Sequence, residues 1–71
     1  MSEATEKTAK RLGGWMTMAG ESNKSMSARL GITAQAVRKI LVGGHVPTVP
    51  VAVGIEKITD GAITCADWVD S

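Results

Sequence analysis

SMSARLGITAQAVRKILV, residues 25–42, carries apolar side chains at Met26, Leu30, Ile32, Val37 and Ile40. That spacing predicts two short helices joined at Leu30-Gly31-Ile32-Thr33. Gly31 falls at the break. Glycine takes a positive φ without penalty, as a left-handed turn between packed helices requires. Thr33 follows with a side-chain oxygen suited to cap the second helix.

The second helix divides cleanly on a wheel. At 100° per residue, Ala34, Val37, Ile40 and Leu41 share one broad side with Ala36 at its edge, and Gln35, Arg38, Lys39 and Val42 share the other. Two helices with this turn form the pattern of a helix-turn-helix, whose second helix enters the DNA major groove. Arg pairs bidentately with guanine and Gln with adenine, so Arg38 and Gln35 are the candidate base readers. Thr33 and Ala34 flank them, the first through its hydroxyl, the second by contact with a thymine methyl. Lys39 lies further round the wheel and suits a phosphate. Lys24 and Ser25 lie near the start of the first helix, where backbone amides favour an anion. Arg29 and His45 are further phosphate candidates. The plain alternative is an amphipathic helix with a solvated basic face, and the turn beside it argues for DNA.

Seventy-one residues make one domain, 1–71, with a small core. Chains this short often need a disulfide, a metal or a partner subunit. Cys65 is the only cysteine and His45 the only histidine, which excludes an internal disulfide and a Cys/His zinc site. Tight helix packing and self-association remain. No apolar run is long enough to span a membrane, and the start does not resemble a signal peptide. A reducing cytoplasm is expected.

Net charge is +1, but the charges are not evenly spread. Residues 1–21 are neutral, residues 22–55 hold Lys24, Arg29, Arg38 and Lys39 with no acid, and residues 56–71 carry a net −3. A basic middle between neutral and acidic ends suits a chain that presents one face to phosphate.

Outward from the motif, Leu12, Trp15, Met16 and Ala19 recur at helical spacing and predict a first helix over about 8–19, with residues 1–6 frayed. Gly13-Gly14 interrupts it, either delaying the helix until Trp15 or marking a close backbone approach. Trp15 is expected in the core. Gly20 suits the helix end, and Ser22 or Asn23 the next cap. Ser27 stands where the two motif helices approach, so its small size matters. After Val42, Gly43-Gly44 lets the chain reverse and Pro47 stops the helix. A further helix is expected over 48–59, capped by Thr48, with Val51, Ile55 and Ile58 inward. Asp60-Gly61 closes it. Ala62-Ile63 is an extended link, and Thr64 caps a last turn over 65–69 with Asp67 near its start. The expected fold is all-α, four to five helices, with a core from Leu12, Trp15, Met16, Met26, Leu30, Ile32, Val37, Ile40, Leu41, Val51, Ile55 and Ile58. A β-hairpin over 49–63 would contradict it.

The segment MSARLGITAQAVRKILVGGHVP resembles the helix-turn-helix of phage Cro and repressor proteins, and VAVGIEKITDGAITCADW is similar to what the small all-helical Cro-like proteins carry after it. The likeness covers about residues 20–68, with Gly31, Val37, Ile40 and the GG-x-VP exit as its specific features. The motif's first helix usually opens with Gln, a phosphate contact, and has Ala at the close-packing point. Asn23 and Ser27 stand there in this chain. The resemblance implies a lambda-repressor-like domain that dimerises, binds a pseudo-palindromic operator in double-stranded DNA and represses transcription. For the dimer interface the apolar positions Ile58, Ile63 and Trp68 are the candidates.

The same residues bear on two other classes. An enzyme needs a nucleophile, base and orienting group, or a metal. One His, one Cys and scattered carboxylates make no such set, so no catalytic residue, metal, cofactor or small-molecule substrate is expected. An antitoxin-like or antirepressor-like protein-interaction module is the alternative, distinguished by the absence of salt-sensitive affinity for duplex DNA.

Overall fold

The computed structural model describes residues 3–69, most of which are helical, with no strand among them. Four α-helices run α1 Glu3–Ala19, α2 Asn23–Leu30, α3 Ala34–Leu41 and α4 Val49–Ile58, and a 3-10 turn at Cys65–Trp68 closes the chain. No hairpin forms over 49–63.

α1 begins five residues earlier than the apolar spacing predicts. Its inward stripe is Thr5, Thr8, Ala9, Leu12 and Met16, all buried. The two threonines break the apolar periodicity, which is why residues 3–7 read as polar. Their hydroxyls are satisfied from far along the chain. Thr5 Oγ1 donates to the carbonyl of Trp68 at 2.8 Å, and Thr8 Oγ1 donates to the carbonyl of Asp67. A buried hydroxyl with a partner is tolerated, whereas one without costs about 1–3 kcal/mol. Glu3 and Glu6 in the first turn suit the positive end of the helix dipole. Ala19 is exposed and Trp15 only half-buried, so the stripe turns away from both.

Neither expectation for Gly13-Gly14 holds. The helix runs straight through, and a Cβ at either position would meet nothing within 4 Å. Gly13→Ala and Gly14→Ala should therefore each stabilise by about 1 kcal/mol, through helix propensity alone. For a domain of this size that raises the thermal midpoint by about 4–8 °C per kcal/mol. A melt of the double variant at or below the parent's midpoint would show that α1 is not continuous there.

Caps decide the next two helices. Gly20 ends α1 at φ 73°. Ser22 caps α2, and Ser22 and Ser25 exchange reciprocal bonds: Ser25 N–H donates to Ser22 Oγ at 3.1 Å and Ser22 N–H to Ser25 Oγ at 2.9 Å. Gly31 ends α2 at φ 71°, in the left-handed conformation expected of it. The N–H of Ile32 reaches back to the carbonyl of Ser27 at 3.1 Å, fixing the turn. Thr33 Oγ1 then accepts the N–H of Ala36 at 3.1 Å and starts α3. Gly43 leaves α3 at φ 77°, and a Cβ there would lie 3.3 Å from the Cα of Glu6, so α1 packs directly on this exit.

Thr48 occupies the cap position of α4, but its hydroxyl makes no cap bond. Gly54, unremarked in the sequence, is where α4 meets α2: a Cβ there would lie 2.8 Å from Leu30 Cδ2. Thr59 ends the helix buried, donating to the carbonyl of Ile55 at 2.8 Å and accepting the N–H of Ile63 at 3.2 Å. Asp60 and Gly61 both turn left-handed, as a stop signal should.

The core is Ala9, Leu12, Met16, Met26, Val37, Ile40, Ala52, Ile55, Ile63 and Trp68. Trp15, Leu30, Ile32, Leu41, Val51 and Ile58 pack around it, half-buried rather than central. Two of the three interface candidates lie inside the fold. Ile63 and Trp68 are each 1% exposed, enclosed within one chain, and present no surface to a second copy. Ile58 is half-buried.

Asp67 pins the closing turn. Its carboxylate accepts the N–H of Thr64 at 2.8 Å and lies 3.4 Å from Arg11, which also donates to the carbonyl of Ala62 at 2.7 Å. The Thr64 N–H, with Arg11 adding, holds the Asp67 carboxyl below the ordinary carboxylate range, although partial burial pulls the other way. A carboxyl that is more acidic folded than unfolded stabilises the fold above its unfolded pKa of about 4. That contribution fades as pH falls through the folded value. Urea unfolding of the parent and of Asp67→Asn should differ above about pH 4 and converge in stronger acid. A difference independent of pH would remove the charge from the account.

Candidate nucleic-acid interface

α3 buries Val37 and Ile40 and half-buries Leu41, so the opposite side of the helix faces solvent. Gln35, Arg38, Lys39 and Val42 fall on that side at i, i+3, i+4 and i+7, and all four are exposed. They line one hollow of about 250 Å³. Thr33 and Ala34 are exposed at the head of the helix. Ala34 therefore takes no part in the core despite sharing the apolar side of the wheel, because it lies one turn ahead of the packed residues.

A second cavity of about 290 Å³ opens between α3, the loop over 43–48 and the first turn of α4. Ile32, Ile40, Pro47 and Val51 form its apolar part, and Thr33, Gln35, Lys39, His45 and Thr48 its polar part. The structure thus brings Gln35 and Lys39 to both hollows and sets His45 beside Lys39. No acid lines either one.

The α2 end of the basic block is organised differently. Arg29 is not a free cation: its guanidinium pairs with Glu21 at 2.7 Å. Ser25 Oγ donates to the other oxygen of Glu21 at 2.6 Å. A phosphate at Ser25 or Arg29 would have to share these groups with the Glu21 carboxylate and meet its negative charge. Asn23, half-buried, and Lys24, exposed, begin the same helix. Glu21 belongs to the neutral first block by sequence, and dividing the charges into consecutive blocks hid its partnership with Arg29. Among the described residues, Lys24, Arg38 and Lys39 have no ion-pair partner within 4.0 Å.

Among the described residues no three His, Cys, Asp or Glu side chains gather to hold a metal ion. Desolvation pushes the Cys65 thiol up, and the neighbouring Glu56 carboxylate adds to it, so the thiolate is disfavoured. No helix among the described residues is long and apolar enough to cross a membrane.

The arrangement that remains is a short helix offering an amide, a guanidinium, an ammonium and one hydrocarbon in a single exposed row. One residue in it, Val42, carried no assigned role in the sequence. Val42 was visible on the wheel as an apolar residue on the polar side. Comparison with protein-family models, curated proteins and solved structures finds no match for the chain.

Proposed function

We propose that this chain is a sequence-reading protein of double-stranded DNA, with α2 and α3 acting as a helix-turn-helix and α3 entering the major groove. The observation that carries the proposal is the outward row of α3, where Gln35, Arg38 and Lys39 stand exposed without internal partners. An α-helix with its side chains is about 10–12 Å across, which fits the B-DNA major groove, about 12 Å wide. The left-handed turn at Gly31 and the Thr33 cap are the supporting local geometry.

Base reading falls to Thr33, Ala34, Gln35 and Arg38. Phosphate contact falls to Lys39, Lys24 and His45, with Asn23 at the start of α2. Ser25 and Arg29 contribute only if DNA competes successfully with Glu21. The wider reading is a Cro-like phage or prophage repressor working in the cytoplasm. Two copies related by a two-fold axis would set their α3 helices in successive major grooves about 34 Å apart. With Ile63 and Trp68 committed to the core, the exposed apolar surface left on α4 is Val49, 74% exposed, and Val53, 37% exposed.

The test is binding to duplex DNA across a salt series, with sequences selected from a random pool. Affinity should fall steeply with salt, and the selected sites should contain inverted half-sites. A protein that shows no salt-sensitive affinity for any duplex is not a DNA reader, and the interaction-module reading takes its place.

A further inference from the structure

Val42 stands where a polar residue would serve better for solubility. It is 71% exposed, an isolated hydrocarbon in the row that holds Gln35, Arg38 and Lys39. The backbone fixes it there. Val42 is the C-cap of α3 at φ −82° and ψ −1°, and its N–H donates to the carbonyl of Arg38 at 3.1 Å, so it continues the helical row. Its branched side chain has few rotamers and holds its place without packing. Nothing in the fold needs it, since its side chain points away from the core that Val37 and Ile40 build.

We infer that Val42 reads the C5-methyl group of a pyrimidine in the major groove, a role that rests on the DNA-binding proposal. The three polar neighbours match donors and acceptors, whereas a hydrocarbon matches only a hydrocarbon. The C5-methyl is the apolar group that base edges present in the major groove. The position fits as well. Gln35 and Val42 are about 10 Å apart along the helix, which is about three base-pair steps. Arg38 and Val42 are one turn apart, about 6 Å, so in a helix lying along the groove they meet bases about two steps apart. The recognised group is the methyl itself, carried by thymine or by 5-methylcytosine.

The experiment uses sites selected by the parent chain. Each thymine in the half-site is replaced by uracil, which deletes only the methyl, and binding is measured for the parent and for Val42→Ala. Circular dichroism melts of both chains confirm folding, and an exposed substitution should leave the midpoint unchanged. One thymine should cost the parent about fourfold in affinity when its methyl is removed, the value of one buried methyl group. The same replacement should cost Val42→Ala nothing. A third arm places cytosine, then 5-methylcytosine, at that position. Tighter binding to the methylated base by the parent and not by the variant shows that the methyl, not the rest of thymine, is read. Uracil replacements that are all neutral, or that weaken both chains equally, overturn the inference while leaving DNA reading intact. A pool with no enriched sequence overturns the DNA proposal, and this inference with it.

Discussion

Replacing Trp68 by alanine should remove a large share of the fold's stability. Trp68 is 1% exposed, the largest of the fully buried side chains, and its carbonyl accepts the Thr5 hydroxyl. Truncating a buried Trp to Ala costs about 3–5 kcal/mol, since the cavity left behind cannot fully collapse. A domain of this length is stable by about 4–10 kcal/mol in all. The loss is thus a large share of the total, and at the lower end of that range the variant is unfolded. Trp68→Phe should behave quite differently. The indole Nε1–H of Trp68 is buried and finds no acceptor among the described residues. An orphaned donor costs about 1–3 kcal/mol, which phenylalanine removes while keeping most of the ring volume. Urea unfolding followed by far-ultraviolet circular dichroism compares the three chains. A Trp68→Ala variant within about 1 kcal/mol of the parent would mean that the closing turn does not hold the core.

The second large effect lies on DNA. Arg38→Ala and Lys39→Ala each remove one cation from the same exposed row, so their long-range electrostatics are nearly matched. They should still fail in different ways. Arg38 presents a planar fork suited to guanine, and its loss should cost the preferred site about 1–3 kcal/mol, or about 5- to 150-fold, with a smaller loss on random duplex. Lys39 is a flexible point charge suited to phosphate. Its loss should weaken all sequences by one factor and lower the salt slope by about 0.9. Both variants are to be titrated with selected and random duplex at several salt concentrations. Equal losses on the two duplexes for both variants would reduce α3 to a basic docking face without base reading.

The parts of the fold legible in the sequence are those written in local signals. Gly31 and Thr33 mark the turn between α2 and α3 because a left-handed φ and a cap oxygen are needed within a few residues of each other. Asp60-Gly61 ends α4 for the same reason. The parts that were not legible depend on residues far apart. Thr5, in the stretch expected to fray, and Thr8, at the expected helix start, gave no core signal, because their burial rests on carbonyls 63 and 59 positions away. Gly54 is ordinary until α2 lies against it. Ile63 and Trp68 suited an interface and a core equally, since both demand large apolar side chains, and only the placement of α1 over the closing turn separates them. Of the candidate site, the outer row of α3 was readable from its period. The capture of Arg29 and Ser25 by Glu21 was not, because it crosses the turn before α2.

The two sides of α3 answer to different constraints. Val37 and Ile40 are locked into the core, whereas Gln35, Arg38, Lys39 and Val42 touch little of the molecule that carries them. Substitutions at such exposed positions usually shift stability by no more than about 0.5 kcal/mol. The outer row can therefore mutate almost freely while the scaffold stays folded. Under the DNA-reading proposal, a lineage carrying this chain can change what it recognises one side chain at a time, without passing through an unfolded intermediate form.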